Sequence, residues 1–203
     1  VMVLKPLNDI NPVKRVIVDT YQSVSGTGSV AVNELAAQSK VVLDGGIAAS
    51  GVYPHPIAFN VLPHIESFMD NAYTREEMKM LNESRKILHD PNLKVSATCV
   101  RVPVMVGHSE SIHIEMEHNV NVLDIREILS ESPGIRMLDV PNSNLYPMPL
   151  DAAGEDDVFV GRLRQDISGL NSVAMWVACD NLRKGAALNA IQIAEAVLEK
   201  NLI

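Results

Sequence analysis

The sequence predicts an α+β fold, a mixed and largely antiparallel sheet with helices packed on one face. Three observations carry that expectation. Short β-branched, apolar runs outnumber segments with helical spacing. Several successive runs are joined too closely for the helical crossover that a parallel pair needs. The length, 203 residues, suits one domain with a substantial core, and neither a repeat nor an interdomain linker interrupts it.

The elements follow in order. Lys14 to Thr20 (KRVIVDT) reads as a buried strand. A Gly-Thr-Gly turn follows at Gly26 to Gly28, and Ser29 to Leu43 places Val32, Leu35, Ala36, Val42 and Leu43 at helical spacing until Gly45-Gly46 stops it. Gly51 to Pro63, rich in proline and aromatics, reads as extended loop with short strand pieces. Thr74 is a helix N-cap, with Glu76 and Glu77 in the first turn of a helix running to about Leu88. Strands are expected over Lys94–Val106 and Ser111–Glu117, a helix over Asn121–Ser130 ended by Pro133-Gly134, and strands over Val158–Arg164 and Val173–Ala178. A long helix from Asp180 to about Leu198 presents Leu182, Ala186, Leu188, Ile191, Ala194 and Leu198 as a broad apolar stripe.

Composition narrows the function classes. Seventeen basic against twenty-five acidic side chains leave a net charge of −8, which disfavours nucleic acid as a partner because phosphate neutralisation needs clustered Lys and Arg. A small anion remains compatible, since a pocket can be locally positive. Two cysteines, Cys99 and Cys179, make no disulfide framework, so the expected compartment is the reducing cytoplasm. No run approaches the roughly 18 apolar residues that span a membrane.

Local motifs speak quietly. The segment from Thr20 to Gly28 (TYQSVSGTG) ends a strand and opens a helix, where bare N–H groups could meet an anion or cofactor; by spacing alone it is a plain turn. Arg101 and His108 bracket a strand, one able to hold a carboxylate and the other to exchange a proton. Glu76 with Lys79, and Glu83 with Lys86, stand three apart on one helix and read as solvated ion pairs. His55, His64, His113 and His118 lack metal-ligand spacing, so no metal site is expected. Cys99 and Cys179 read as small core residues.

The order of segments says more. KRVIVDTYQSVSGTG, HPIAFNVLPHI, REEMKMLNESRKIL, SATCVRVPVMVGHSESIHIE and DNLRKGAALNAIQIAE together resemble bacterial aspartate-semialdehyde dehydrogenases, nearly from end to end of the chain. The resemblance implies the C-terminal catalytic and dimerisation domain of glyceraldehyde-3-phosphate-dehydrogenase-like enzymes, occupying residues 1–203. It assigns catalytic roles to His108, the acid/base group, and Gln22, which helps hold the substrate. Arg101 would pair with the substrate carboxylate, Glu76 with its amine, and Lys79 with phosphate. Ser25, Gly26 and Gly28 would approach the nicotinamide end of NADP. The implied reaction is NADPH-dependent reductive dephosphorylation of L-aspartyl-4-phosphate to L-aspartate 4-semialdehyde, by a homodimer.

The family's Asn-Cys nucleophile would fall upstream of Val1, and its main NADP-binding domain is absent from these residues. Neither Cys99 nor Cys179 matches the nucleophile. The chain alone is therefore expected to be inactive, and residues 181–203 are expected to form a helix that packs on the cofactor domain. Two alternatives stay open: a non-catalytic dimerisation or regulatory module, and a related N-acetylglutamyl-phosphate reductase. His55 to Ile65 is a candidate part of the dimer surface.

Overall fold

A computed structural model describes residues 1–202. Its centre is a six-stranded mixed sheet in the order β2-β1-β3-β6-β5-β4. The strands are β1 (Val13–Gln22), β2 (Lys94–Arg101), β3 (His108–Met116), β4 (Ile135–Met137), β5 (Val158–Gln165) and β6 (Ser172–Cys179). The β1–β3, β3–β6 and β5–β6 pairs are antiparallel, whereas β1–β2 and β4–β5 are parallel. The expected fold class holds.

Period-two alternation sets the two faces. Val16, Val18, Ile112, Ile114, Val173 and Met175 turn to one side and join the main core. Helices α1 (Leu4–Asn8), α3 (Arg75–Ile87) and α4 (Val122–Glu131) cover that side, contributing Leu4, Leu7, Met80, Ile125 and Leu129. On the other side Ile17, Asp19, Ser111, His113 and Trp176 stay half-buried and Tyr21 exposed, with the Tyr21 and Trp176 rings 5.1 Å apart. The four-residue α5 (Pro149–Ala152) reaches that side at the β5–β6 end, through Ala152 against Phe159 and Ala178.

Helix α2 (Ser29–Leu43) lies beyond the sheet and makes a second small core, in which Ala31 and Leu35 meet Val24, Ile57, Ala58 and Leu62. The segment His55–Ile65 is thus partly spent inside the protomer, leaving Phe59 and Val61 exposed. Leu62 also exchanges backbone hydrogen bonds with Arg101, at 2.9 and 2.8 Å, and so pins the end of β2.

Several expectations need correction. The strand foreseen over Lys94–Val106 ends at Arg101, where the chain turns through Pro103 and Gly107 before β3. The Glu83–Lys86 ion pair does not form among the described residues. The last helix opens with a π-helical turn (Arg183–Ala187) capped by Asp180 and continues as α6 (Leu188–Glu199). No residue of α6 is buried, and Leu182, Ile191, Ile193 and Leu198 are exposed. No helix among the described residues is long and apolar enough to cross a membrane.

Candidate active site

At the C-terminal ends of β1 and β2 the parallel register sets Gln22 beside Arg101, and the antiparallel start of β3 brings His108 next to them. Thr74 anchors the approach of α3 through a capping box. Its Oγ1 accepts from the Glu77 N–H, while Glu77 Oε2 accepts from the Thr74 N–H at 2.7 Å. Glu77 has a second task. Its Oε1 accepts from the Cys99 N–H at 3.1 Å, tying the start of α3 to β2 two residues before Arg101.

That tether fixes Glu76. The Gln22 amide donates to Glu76 Oε1 at 3.1 Å, and Lys79 Nζ donates to Glu76 Oε2 at 2.7 Å and to Glu66 Oε1 at 3.2 Å. Burial works to raise the Glu76 pKa, but the hydrogen bonds from Lys79 and Gln22 outweigh it and hold the carboxyl below its ordinary range. The Glu76 hydrogen bond, reinforced by Glu66, pushes Lys79 up to about 12.

Arg101 is the unusual member. It is 5% exposed, forms no ion pair within 4 Å among the described residues, and its buried Nε has no hydrogen-bond partner. Nη1 donates to the Ser23 carbonyl at 2.7 Å, and the guanidinium lies 5.8 Å from the centre of the Tyr53 ring. A buried cation without a contacting anion is costly, and here one N–H is left over.

His108 stands on the other side of Ser23. Its Nδ1 lies 3.1 Å from the Ser23 backbone N and 3.0 Å from Ser23 Oγ. Desolvation, followed by the Arg101 charge, pushes its pKa down to about 4, so the ring is neutral near pH 7. Gly107, at φ +94°, makes the turn into the histidine, and a Cβ there would meet the Pro149 backbone oxygen at 3.0 Å. Gly26 closes the site: a Cβ would come 3.2 Å from Arg101 Nη1 and 3.3 Å from His108 Nε2. The absent side chain therefore lets the backbone come close to both groups.

The structure thus gathers Gln22, Glu76, Lys79, Arg101, His108 and Gly26 at one end of the sheet. Ser25 joins through its buried hydroxyl, 3.0 Å from Ser23 Oγ, while Gly28 sits at the exposed start of α2. The TYQSVSGTG segment is a turn, as its spacing alone suggests. The Ser25 N–H donates to Met105 O, Gly26 to Ser23 O and Gly28 to Ser25 O, because the segment winds into a 3₁₀ turn (Val24–Thr27). Neither cysteine is activated, since burial pushes both Cys99 and Cys179 up to about 12.

Sequence reasoning missed Ser23, Glu77 and Asn181. Asn181 Oδ1 accepts from the Gly107 N–H at 2.9 Å, and its Nδ2 donates to Ser25 Oγ at 2.9 Å. The one signal available for Asn181 was its place just after β6, at the start of the DNLRKG segment; Ser23 had none.

The model of the semialdehyde dehydrogenase dimerisation domain matches residues 4–184. The chain belongs to that family. It is 51% identical to aspartate-semialdehyde dehydrogenase of Aquifex aeolicus over all of this chain and 60% of that protein. The crystal structure of aspartate semialdehyde dehydrogenase II from Vibrio cholerae, complexed with ASA, superposes with a TM-score of 0.93 at 44% identity, covering 97% of this chain and 58% of that one. A Candida albicans aspartate semialdehyde dehydrogenase with NADP gives a TM-score of 0.70 at 28% identity, covering 99% of this chain and 55% of that one. The chain spans about 60% of the length of such relatives.

Proposed function

We propose that these residues form the substrate-binding and proton-transfer half of an aspartate-semialdehyde dehydrogenase, acting in the NADPH-dependent reductive dephosphorylation of L-aspartyl-4-phosphate. The observation that carries this reading is Arg101, a buried guanidinium with no contacting carboxylate and an unused Nε–H, set beside a neutral histidine. A substrate carboxylate would satisfy the guanidinium and fix the adjoining carbonyl in one orientation. Glu76, held ionised, would take the substrate ammonium, with Gln22 aligning it. Lys79 would meet phosphate only by loosening its contacts with Glu76 and Glu66. His108 would exchange a proton with the substrate oxygen.

NADPH would supply the hydride when bound. Ser25, Gly26 and Gly28 would approach its nicotinamide end, Gly26 being the position where the backbone runs close beside Arg101 and His108. The nucleophilic thiolate would come from outside these residues, because both cysteines are held as thiols. The open sheet face around Tyr21 and Trp176 would pack against a second copy to make a homodimer.

The test joins this chain in frame to the remaining part of the Aquifex aeolicus relative and follows phosphate-dependent oxidation of aspartate semialdehyde. Turnover is expected in the fusion and not in the chain alone. In the fusion, Arg101→Met should chiefly raise KM and His108→Asn chiefly lower kcat. An active fusion whose His108→Asn variant turns over at the parent rate would refute the assignment.

A further inference from the structure

Ser23 has three polar groups, and each is committed to the site. Its carbonyl accepts from Arg101 Nη1 at 2.7 Å. Its N–H faces His108 Nδ1 at 3.1 Å, and its Oγ lies 3.0 Å from the same nitrogen. Ser23 is fully buried, and its partner Ser25 is buried too.

A backbone N–H can only donate, so the Nδ1 it faces must carry a lone pair. The proton of the neutral ring then sits on Nε2, the nitrogen nearest Gly26. The hydroxyl is less constrained. The Gly107 N–H fixes the oxygen of the Asn181 amide toward itself, and that oxygen also lies 3.2 Å from Ser23 Oγ. When Ser23 donates to Asn181, its own lone pairs face His108 Nδ1. When it donates to Nδ1, it reinforces the neutral ring. Besides Ser23, a backbone hydrogen bond to Gly107 also favours the protonated ring.

We propose that Ser23 is the positioning residue that sets the proton form of His108. Its N–H holds Nδ1 as an acceptor, so that the neutral ring offers Nε2–H to the substrate oxygen. Its hydroxyl, steadied by Asn181, turns from donor to acceptor when the ring takes a second proton at Nδ1. The substrate oxygen therefore meets a neutral donor, which stabilises developing negative charge without a resident cation on the ring.

The charged groups around the ring are Arg101 from β2, Glu76 from α3 and Asp180 after β6. Glu110 and Lys184 line the adjoining cavity of 170 Å3. Arg101 opposes protonation, while Glu76 and Asp180 favour it. None of these charged groups is hydrogen-bonded to Nδ1 among the described residues, whereas both the N–H and the Oγ of Ser23 face it.

The proposal rests on reading His108 as the group that exchanges protons with substrate, but its test needs no turnover. The chain, labelled with ¹⁵N in the histidine rings, is followed by two-dimensional NMR through a pH titration. At pH 7, Nδ1 of His108 should be the unprotonated nitrogen and Nε2 the protonated one. In Ser23→Ala the protonated ring loses the Ser23 Oγ acceptor, and its proton affinity should fall about tenfold. A wild-type ring protonated at Nδ1 would overturn the proposal, whatever the variant does. So would a Ser23→Ala chain that titrates like wild type. Failure of the fusion assay on His108→Asn would remove the catalytic reading and leave the proton placement standing.

Discussion

Replacing Arg101 with methionine separates a residue kept for binding from one kept for stability. A buried arginine within an ion pair is expensive to remove, costing about 3–5 kcal/mol, because its partner is left charged and dry. Arg101 has no such contacting partner. Its Nε–H is already unmet, a debit of about 1–3 kcal/mol in the folded state that Arg101→Met removes. Against this, Ser23 O loses a charged donor, worth about 1.5–3 kcal/mol. The Tyr53 contact adds about 0.5–1 kcal/mol on the same side. These terms nearly cancel, so Arg101→Met should unfold within about 1 kcal/mol of wild type in a urea titration. Aspartate semialdehyde at a hundredfold excess over its Kd should add about 2.7 kcal/mol to wild type and nothing to the variant. A loss of 3 kcal/mol or more, or ligand stabilisation surviving in Arg101→Met, would show that the arginine is structural.

The α3 tether should be costly to cut. Glu77→Ala removes half of the capping box and the acceptor of the Cys99 N–H, and should cost about 2–3 kcal/mol by the same titration, against about 1 for Thr74→Ala. Stability should also fall between pH 6.5 and about 4 through His108. Its folded pKa is lowered, so the unfolded chain binds more protons in that window, and the contribution present above 6.5 is lost on acidification. The displacement sets an upper bound of about 3 kcal/mol, and the difference between wild type and His108→Asn should isolate it. Asp166, whose hydrogen bonds from Ser168 and then His113 lower it to about 2, acts in a more acidic range. Its contribution is present above about 3.8 and is lost on the way to 2. On the open sheet face, Trp176→Asp should turn a sedimenting dimer into monomer without loss of helix signal; a dimer that persists would place the interface elsewhere.

The sheet was legible because its strands obey simple periods. The run KRVIVDT and the alternation of Ile112, Ile114 and Met116 each announced a buried face, and Thr74 followed by two glutamates announced α3. What stayed hidden depends on contacts between distant segments. The three-residue β4 has too little sequence for any period, and α5 only four residues. The end of β2 at Arg101 follows from Leu62 binding across it, some forty residues away in sequence. In the site, Arg101 and His108 were visible as residue types able to hold an anion and move a proton. Glu76 and Lys79 read locally as an ion pair, and the structure shows that they are one as well as neighbours of Gln22. Ser23 and Asn181 carry no such signal, since a serine or an asparagine becomes informative only once its hydrogen-bond partners are known. Glu77 was seen as a helix-start residue, but its bond to Cys99 required the tertiary fold.

If Arg101 holds a substrate carboxylate, its unmet Nε–H is the group that must gain a partner on binding. The measurement to make is the side-chain ¹⁵N–¹H signal of Arg101 Nε during titration of the chain with L-aspartate 4-semialdehyde. This signal should move downfield and become protected from exchange as its unmet N–H gains an acceptor, with a saturating curve that is absent for acetaldehyde, which lacks the carboxylate. An Nε signal that stays put while the semialdehyde binds would contradict that role of Arg101.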